Sequence, residues 1–159
     1  MTRSLPLGLG EVRLTKDQED QLCVFGLGSC VAVFLYAPGA SAVAAAHVVL
    51  PKSPGTGDAG TVEPGRYADQ AVPLLVAEMA KAGVLRSTVR AAIAGGAAVL
   101  GFTSAIGEQN IQAVRRELEL QHIQVEQEDV GGTRGRSVLF NAIERRLEVR
   151  VLSAPNFNI

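Results

Sequence analysis

Residues 31–50 of the chain read VAVFLYAPGASAVAAAHVVL. Two runs of strand-forming residues, 31–36 and 42–50, lie on either side of a segment that contains the turn-forming pair Pro38-Gly39. This order predicts a β-hairpin. Since both runs are apolar at almost every position, neither strand is expected to face water on either side.

Shorter patterns surround the hairpin. Apolar residues recur at helical spacing from Tyr67 to Met79, ahead of Gly83, and again from Ile111 to Leu118. About seven strands and two helices in mixed order predict an α/β or α+β sandwich in which the two main helices cover one face of a sheet. Besides the hairpin, the runs that favour strands are residues 22–25, 89–94, 124–130, 137–140 and 147–152, with a weaker alternation over 11–17.

The composition indicates one ordinary globular domain over residues 1–159. Hydrophobic residues make up 47% of the chain and charged residues 19%, which excludes disorder; with 4% aromatic residues and no Trp, the core must be largely aliphatic. A net charge of -1 argues against a nucleic-acid partner. Two cysteines exclude a disulfide framework and a four-cysteine zinc site, and neither metal-ligand spacing nor a nucleotide-binding glycine pattern occurs. We therefore expect no cofactor.

The chain shows no targeting or membrane segment. Residues 1–10 lack the continuous apolar run of a secretory signal. The most apolar stretch, residues 42–50, is interrupted by His47 and is far shorter than the roughly twenty residues of a spanning helix. A cytoplasmic location with reduced thiols and no membrane insertion is expected.

One constellation suggests chemistry: Gly26-Leu27-Gly28-Ser29-Cys30, followed by His47. A cysteine after a glycine-rich turn can expose its sulfur, while amides of the turn, with Gly28 and Ser29 as candidates, bind an oxyanion. If the hairpin forms, Cys30 and His47 are neighbours at its open end, as a nucleophile and its base must be. Both could equally be buried core residues. Cys23 is expected to be a core filler.

Several blocks resemble the chemoreceptor glutamine deamidase family CheD. They occur in the family's order from about residue 10 to residue 152, nearly the whole chain. The matching blocks are Gly26–Val33, Ala46–Pro51, Gly65–Asp69, Ala94–Ala97, Ile106–Asn110 and Glu128–Arg136.

The resemblance implies an α/β/β sandwich and an enzyme that hydrolyses selected glutamine side chains on the cytoplasmic helices of chemotaxis receptors to glutamate. It also implies a partner, the chemotaxis phosphatase CheC. Carried over by position, Cys30 is the nucleophile and His47 the general base. The loop 52–65, which is rich in Gly and Pro, is a candidate for binding a receptor helix. The loop 131–136, with Arg134 and Arg136, is a candidate for contacting the receptor or the phosphatase.

The chain departs from the family at Val24. CheD proteins usually carry a threonine six positions before the cysteine, which helps to orient the histidine. Valine matches threonine in shape but cannot hydrogen-bond, so we expect an intact core and a histidine without this partner, a role that Ser29 could fill. Two alternatives stay open. One is a catalytically weakened or non-catalytic regulatory module that binds CheC or receptors. The other, by the chemistry of the cysteine and histidine alone, is a small cysteine peptidase or acyltransferase.

Overall fold

A computed structural model describes residues 2–54, 63–99 and 104–152. The described residues form nine strands and two α-helices, with a short 3-10 helix at Arg86–Thr88. The helices are α1, Ala68–Lys81, and α2, Ser104–Leu120. The strands are β1 Arg3–Pro6, β2 Val12–Thr15, β3 Asp20–Leu27, β4 Val31–Tyr36, β5 Val43–Val48, β6 Arg90–Gly95, β7 Gln124–Val130, β8 Arg136–Asn141 and β9 Arg146–Val151.

The strands form two mixed sheets, one of five strands in the order β2-β5-β4-β6-β7 and one of four in the order β1-β3-β8-β9. The helices and the two sheets are stacked on one another, and two hydrophobic clusters fill the spaces between them. One cluster, here called the helix layer, lies between the two helices and the five-stranded sheet. The other, the inter-sheet layer, lies between the two sheets and includes stacked rings of Phe34 and Phe140. The predicted α/β sandwich with two helices over one face is confirmed.

The predicted hairpin is formed by β4 and β5, and both strands are buried at every position. Successive residues of β4 alternate between the layers: Val31 and Val33 belong to the helix layer, whereas Ala32 and Phe34 belong to the inter-sheet layer. This alternation explains why both runs are apolar throughout, because each face of the hairpin is covered by a different layer.

The sequence patterns missed β1 and shortened β3. β1 is an edge strand that pairs in parallel with β3, and its alternation is weak because most of its residues are exposed. Pro6 is tolerated there because an edge strand has a free side. β3 continues past the predicted end to Leu27, with an irregular register between Val24 and Leu27 that Gly26 accommodates at a φ of 66°.

Candidate active site

The Gly-Ser turn places Cys30 immediately before β4, at the open end of the hairpin. Its side chain is half-buried and packs against the inter-sheet layer. The residue therefore lies at the edge of the layer and is neither fully buried nor fully exposed.

His47 lies on β5 directly opposite Ala32 of β4, and it is only 6% exposed. Opposite residues of an antiparallel pair point to the same face, and Cys30, two residues before Ala32, points to that face as well. Continuing the register by one residue makes Cys30 and His47 diagonal neighbours across the strand pair. The structure therefore brings these two predicted residues together on one face.

The N-terminal segment holds His47 in place. Its ring Nδ1 lies 3.2 Å from the carbonyl oxygen of Leu7, so Nδ1 donates to that carbonyl and the lone pair of the neutral ring is on Nε2. The backbone of His47 accepts from the amide of Gly10 and donates to the carbonyl of Glu11, at 2.9 and 3.0 Å. A main-chain carbonyl thus orients the imidazole, which is the task that the family assigns to a threonine.

Residues 28–30, here called the cysteine turn, each have a main-chain carbonyl group that accepts a hydrogen bond. The carbonyl oxygen of Gly28 accepts from the amide of Ala97, and that of Cys30 accepts from the amide of Gly96, each at 2.8 Å. Gly95 allows this close approach, because it adopts a φ of 111° and any side chain there would collide with the Cys30 carbonyl oxygen. The third carbonyl, that of Ser29, accepts from the side chain of Asn110 at 2.8 Å.

Burial favours the uncharged forms of both central groups. It raises the pKa of the Cys30 thiol above its usual 9.0, and it lowers the pKa of His47 below its usual 6.5. The Arg66 guanidinium opposes the first effect by stabilising the thiolate. A neutral thiol beside a neutral imidazole is therefore the resting pair near pH 7, rather than a preformed thiolate–imidazolium ion pair.

Substituting Arg66→Met should raise the pKa of the Cys30 thiol further, since it removes a cation that favours the thiolate. We expect slower alkylation by iodoacetamide at each pH below the thiol pKa and an unchanged limiting rate in alkali. The measurement follows alkylation against pH in a Cys23→Ala background, with Arg115→Met as the matched control, because Arg115 is also a half-exposed arginine in an ion pair. Superimposed profiles for all three proteins would contradict this role of Arg66.

The remaining predicted residues lie as follows. Val24 is completely buried in the inter-sheet layer and pairs with Val138 of β8, so the core tolerates valine here. Cys23 is also buried, at 3% exposure, but it belongs to neither cluster and lines a surface cavity over the outer face of the four-stranded sheet. His122 is exposed.

Arg136 differs from its prediction as a surface contact. Its side chain is 5% exposed, and it donates to the carbonyl oxygens of Asp129, Gly131 and Arg134 and to the Asp129 carboxylate. It therefore holds the loop together from inside, whereas Arg134 remains exposed. Of the loop 52–65 that was expected to grip a receptor helix, residues 55–62 lie outside the described residues.

Sequence reasoning missed three groups that shape the site: the Leu7 carbonyl, Arg66 and Asn110. Arg66 and Asn110 stand within blocks of the family resemblance, which was the available signal for them. A main-chain acceptor such as Leu7 leaves no signature in a sequence.

Two absences concern only the part of the chain that the structure describes. Within it, no three or more His, Cys, Asp or Glu side chains are grouped so that they could hold a metal ion. Neither described helix combines the length and apolarity that crossing a membrane requires.

The chain is similar to known proteins over most of its length. A family model described as CheD chemotactic sensory transduction matches residues 49–151. The chemoreceptor glutamine deamidase CheD of Thermotoga maritima is 41% identical over 145 residues, 91% of this chain and 89% of that protein. A probable chemoreceptor glutamine deamidase CheD of Clostridium botulinum is 32% identical over 151 residues, 92% of this chain and 91% of that protein.

Among solved structures, the Bacillus licheniformis hypothetical protein YfiH matches with a TM-score of 0.43 and 15% identity, over 77% of this chain and 49% of that chain. The family model covers more than half of the chain, and the relatives align along nearly all of it. The protein is therefore a member of the CheD family.

Proposed function

We propose that this protein deamidates glutamine side chains on the cytoplasmic helices of chemotaxis receptors, with Cys30 as nucleophile and His47 as general base. The observation that carries the proposal is the placement of both side chains on one face, at the open end of the β4–β5 hairpin, in a chain whose relatives are named glutamine deamidases. The reaction takes place in the cytoplasm, where the receptor helices are found.

The first step is attack by sulfur on the carboxamide carbon of the glutamine. Because Cys30 and His47 are both neutral at rest, the thiol proton passes to Nε2 of His47 as the carbon–sulfur bond forms. The Leu7 carbonyl supports this transfer, since it accepts a hydrogen bond from the Nδ1–H group and stabilises the imidazolium. The carboxamide oxygen becomes an oxyanion, which backbone amides of the cysteine turn hold.

The imidazolium then gives its proton to the nitrogen of the tetrahedral intermediate. The carbon–nitrogen bond breaks, ammonia departs and a thioester remains on Cys30. Neutral His47 next takes a proton from water, which attacks the thioester and displaces the thiolate. The departing thiolate takes this proton back from the imidazolium, and the new carboxylic acid loses its proton to ammonia in solution, so the products are glutamate, ammonium and the resting pair.

The test is incubation of the purified protein with a receptor cytoplasmic fragment. Peptide mass mapping locates glutamine-to-glutamate conversion, and a coupled assay measures released ammonia. We expect both products in equal amounts from the wild type and neither from Cys30→Ala. Equal conversion by the two proteins would end the proposal, and so would a wild type that binds the fragment and leaves every glutamine intact, as the non-catalytic module would. Binding of CheC, which the family resemblance implies, stays a prediction.

Restoring the family threonine should change little. In Val24→Thr we expect kcat to stay within about threefold of the wild type, because one neutral hydrogen bond is worth about 1 kcal/mol and His47 already has an orienting acceptor. The free energy of unfolding should fall, since a hydroxyl replaces a methyl group at a fully buried site. Steady-state rates on one receptor fragment and urea unfolding measure the two quantities. A gain in kcat of tenfold or more would show that the Leu7 carbonyl does not suffice.

A further inference from the structure

A buried side chain of α2 contacts the cysteine turn and has no role in the chemistry proposed above. Asn110 of α2 is 0% exposed, and its Nδ2 atom donates to two carbonyl oxygens, that of Ser29 at 2.8 Å and that of Val49 at 2.9 Å. Ser29 stands immediately before Cys30, and Val49 stands two residues after His47. One amide group thus ties the nucleophile's turn to the strand of the base.

The helix is brought close enough for this contact by a glycine. Gly107, one turn before Asn110, packs against the segment that follows β6, and a Cβ atom there would meet the carbonyl oxygens of Gly96 and Ala97 at 2.6 and 2.8 Å. The same segment donates to the carbonyl groups of Gly28 and Cys30. The helix, this segment and the cysteine turn therefore form one packed unit.

The side chain of Asn110 also destabilises the folded state. Among the described residues, its Oδ1 atom is buried and accepts no hydrogen bond. An unpaired buried acceptor costs roughly 1–3 kcal/mol, so a residue retained for packing alone would be better without it. The two donated hydrogen bonds are what the side chain contributes.

The direction of these bonds determines where the neighbouring amide points. In a planar trans peptide the N–H and C=O groups point in opposite directions, and the described chain has no cis peptide. The Ser29 carbonyl points toward α2, on the helix side of the five-stranded sheet. The N–H of Cys30, in the same peptide, therefore points to the opposite side, where the side chains of Cys30 and His47 lie.

We propose that Asn110 is a positioning residue that orients the Ser29–Cys30 peptide so that the Cys30 amide forms the oxyanion hole. This inference rests on the proposed deamidation, and it adds a residue that touches neither the substrate nor the sulfur. Without the two donated bonds the peptide can rotate, and its N–H no longer faces the developing charge.

The test compares two reactions of the same sulfur in Asn110→Ala. Deamidation develops an oxyanion, whereas alkylation by iodoacetamide displaces iodide at a saturated carbon and develops none. We expect kcat for deamidation to fall about 10²-fold with KM nearly unchanged, as for the loss or misplacement of one oxyanion donor. The alkylation rate of Cys30, measured in the Cys23→Ala background, should stay within about twofold of the wild type because sulfur and imidazole keep their places.

Val114→Ala is the matched control, because Val114 is a fully buried residue of the same helix that belongs to the helix layer. It should lose stability and keep its kcat. If Asn110→Ala does not fold by circular dichroism, Asn110→Leu, which has a similar shape and no donor, is measured instead with the same expected result.

The outcomes separate the two proposals. Equal kcat values for the Asn110 and Val114 variants, or a parallel fall of deamidation and alkylation, would overturn the role of Asn110 while leaving the deamidase intact. Equal rates for the wild type and Cys30→Ala would remove the proposed function itself.

Discussion

Cys30→Ala should abolish glutamine deamidation, with a loss of about 10⁴-fold or more in kcat. The substitution removes the atom that forms the thioester, and alanine supplies no nucleophile in its place. Folding should survive, because Cys30 is only half-buried and alanine fills most of its contact with the inter-sheet layer. Ammonia release and peptide mass mapping measure the rate, and circular dichroism measures the fold.

The matched control is Cys23→Ala, which removes the second thiol of the chain. Cys23 is buried on the outer face of the four-stranded sheet, so we expect this variant to deamidate at the wild-type rate. Hydroxylamine adds a direct check, because it converts a thioester intermediate to a hydroxamate on the substrate glutamine. Full activity in Cys30→Ala, or hydroxamate formation without Cys30, would contradict the thioester mechanism.

His47→Asn should lower kcat by about 10²- to 10⁴-fold, the usual contribution of a general acid–base group. Asparagine places an amide nitrogen near the position of Nδ1 and can keep the bond to the Leu7 carbonyl, so the variant removes the base and retains the contact. Iodoacetamide should still alkylate Cys30, which shows that the sulfur remains in place.

The pH profile provides a second measure of His47. Burial lowers the pKa of the imidazole, so it stays neutral, and active as a base, to a pH below its usual 6.5. The acid limb of kcat/KM for the wild type should therefore lie below pH 6.5, and His47→Asn should lack it. A wild-type acid limb above that pH, or the same limb in the variant, would assign the ionisation to another group.

The hairpin illustrates what a sequence pattern alone can predict about this fold. Two apolar runs around Pro38-Gly39 predicted both strands and their burial, because a strand covered on both faces must be apolar at each position. The same hairpin predicted that Cys30 and His47 lie near each other, since its two strands bring both residues to the open end. Helices and central strands were recognisable for the same local reason.

Other parts of the site were not predictable in this way. The parallel strand β1 carries a weak pattern because it lies at an exposed edge, and its pairing with β3 depends on residues far along the chain. Arg136 was expected at the surface because charged residues usually lie there, but the loop carbonyls that surround it make burial favourable. Both outcomes depend on contacts that a linear pattern does not contain.

By itself, then, the sequence determined the sandwich, the hairpin that carries Cys30 and His47, and the likeness to a deamidase family, because each depends on local periodicity or residue identity. Only the tertiary structure decided how the pair is held. The Leu7 carbonyl that orients His47 and the amide of Asn110 that grips the cysteine turn come from distant segments. The directions of main-chain carbonyl groups are set by packing, so they cannot be inferred from residue types.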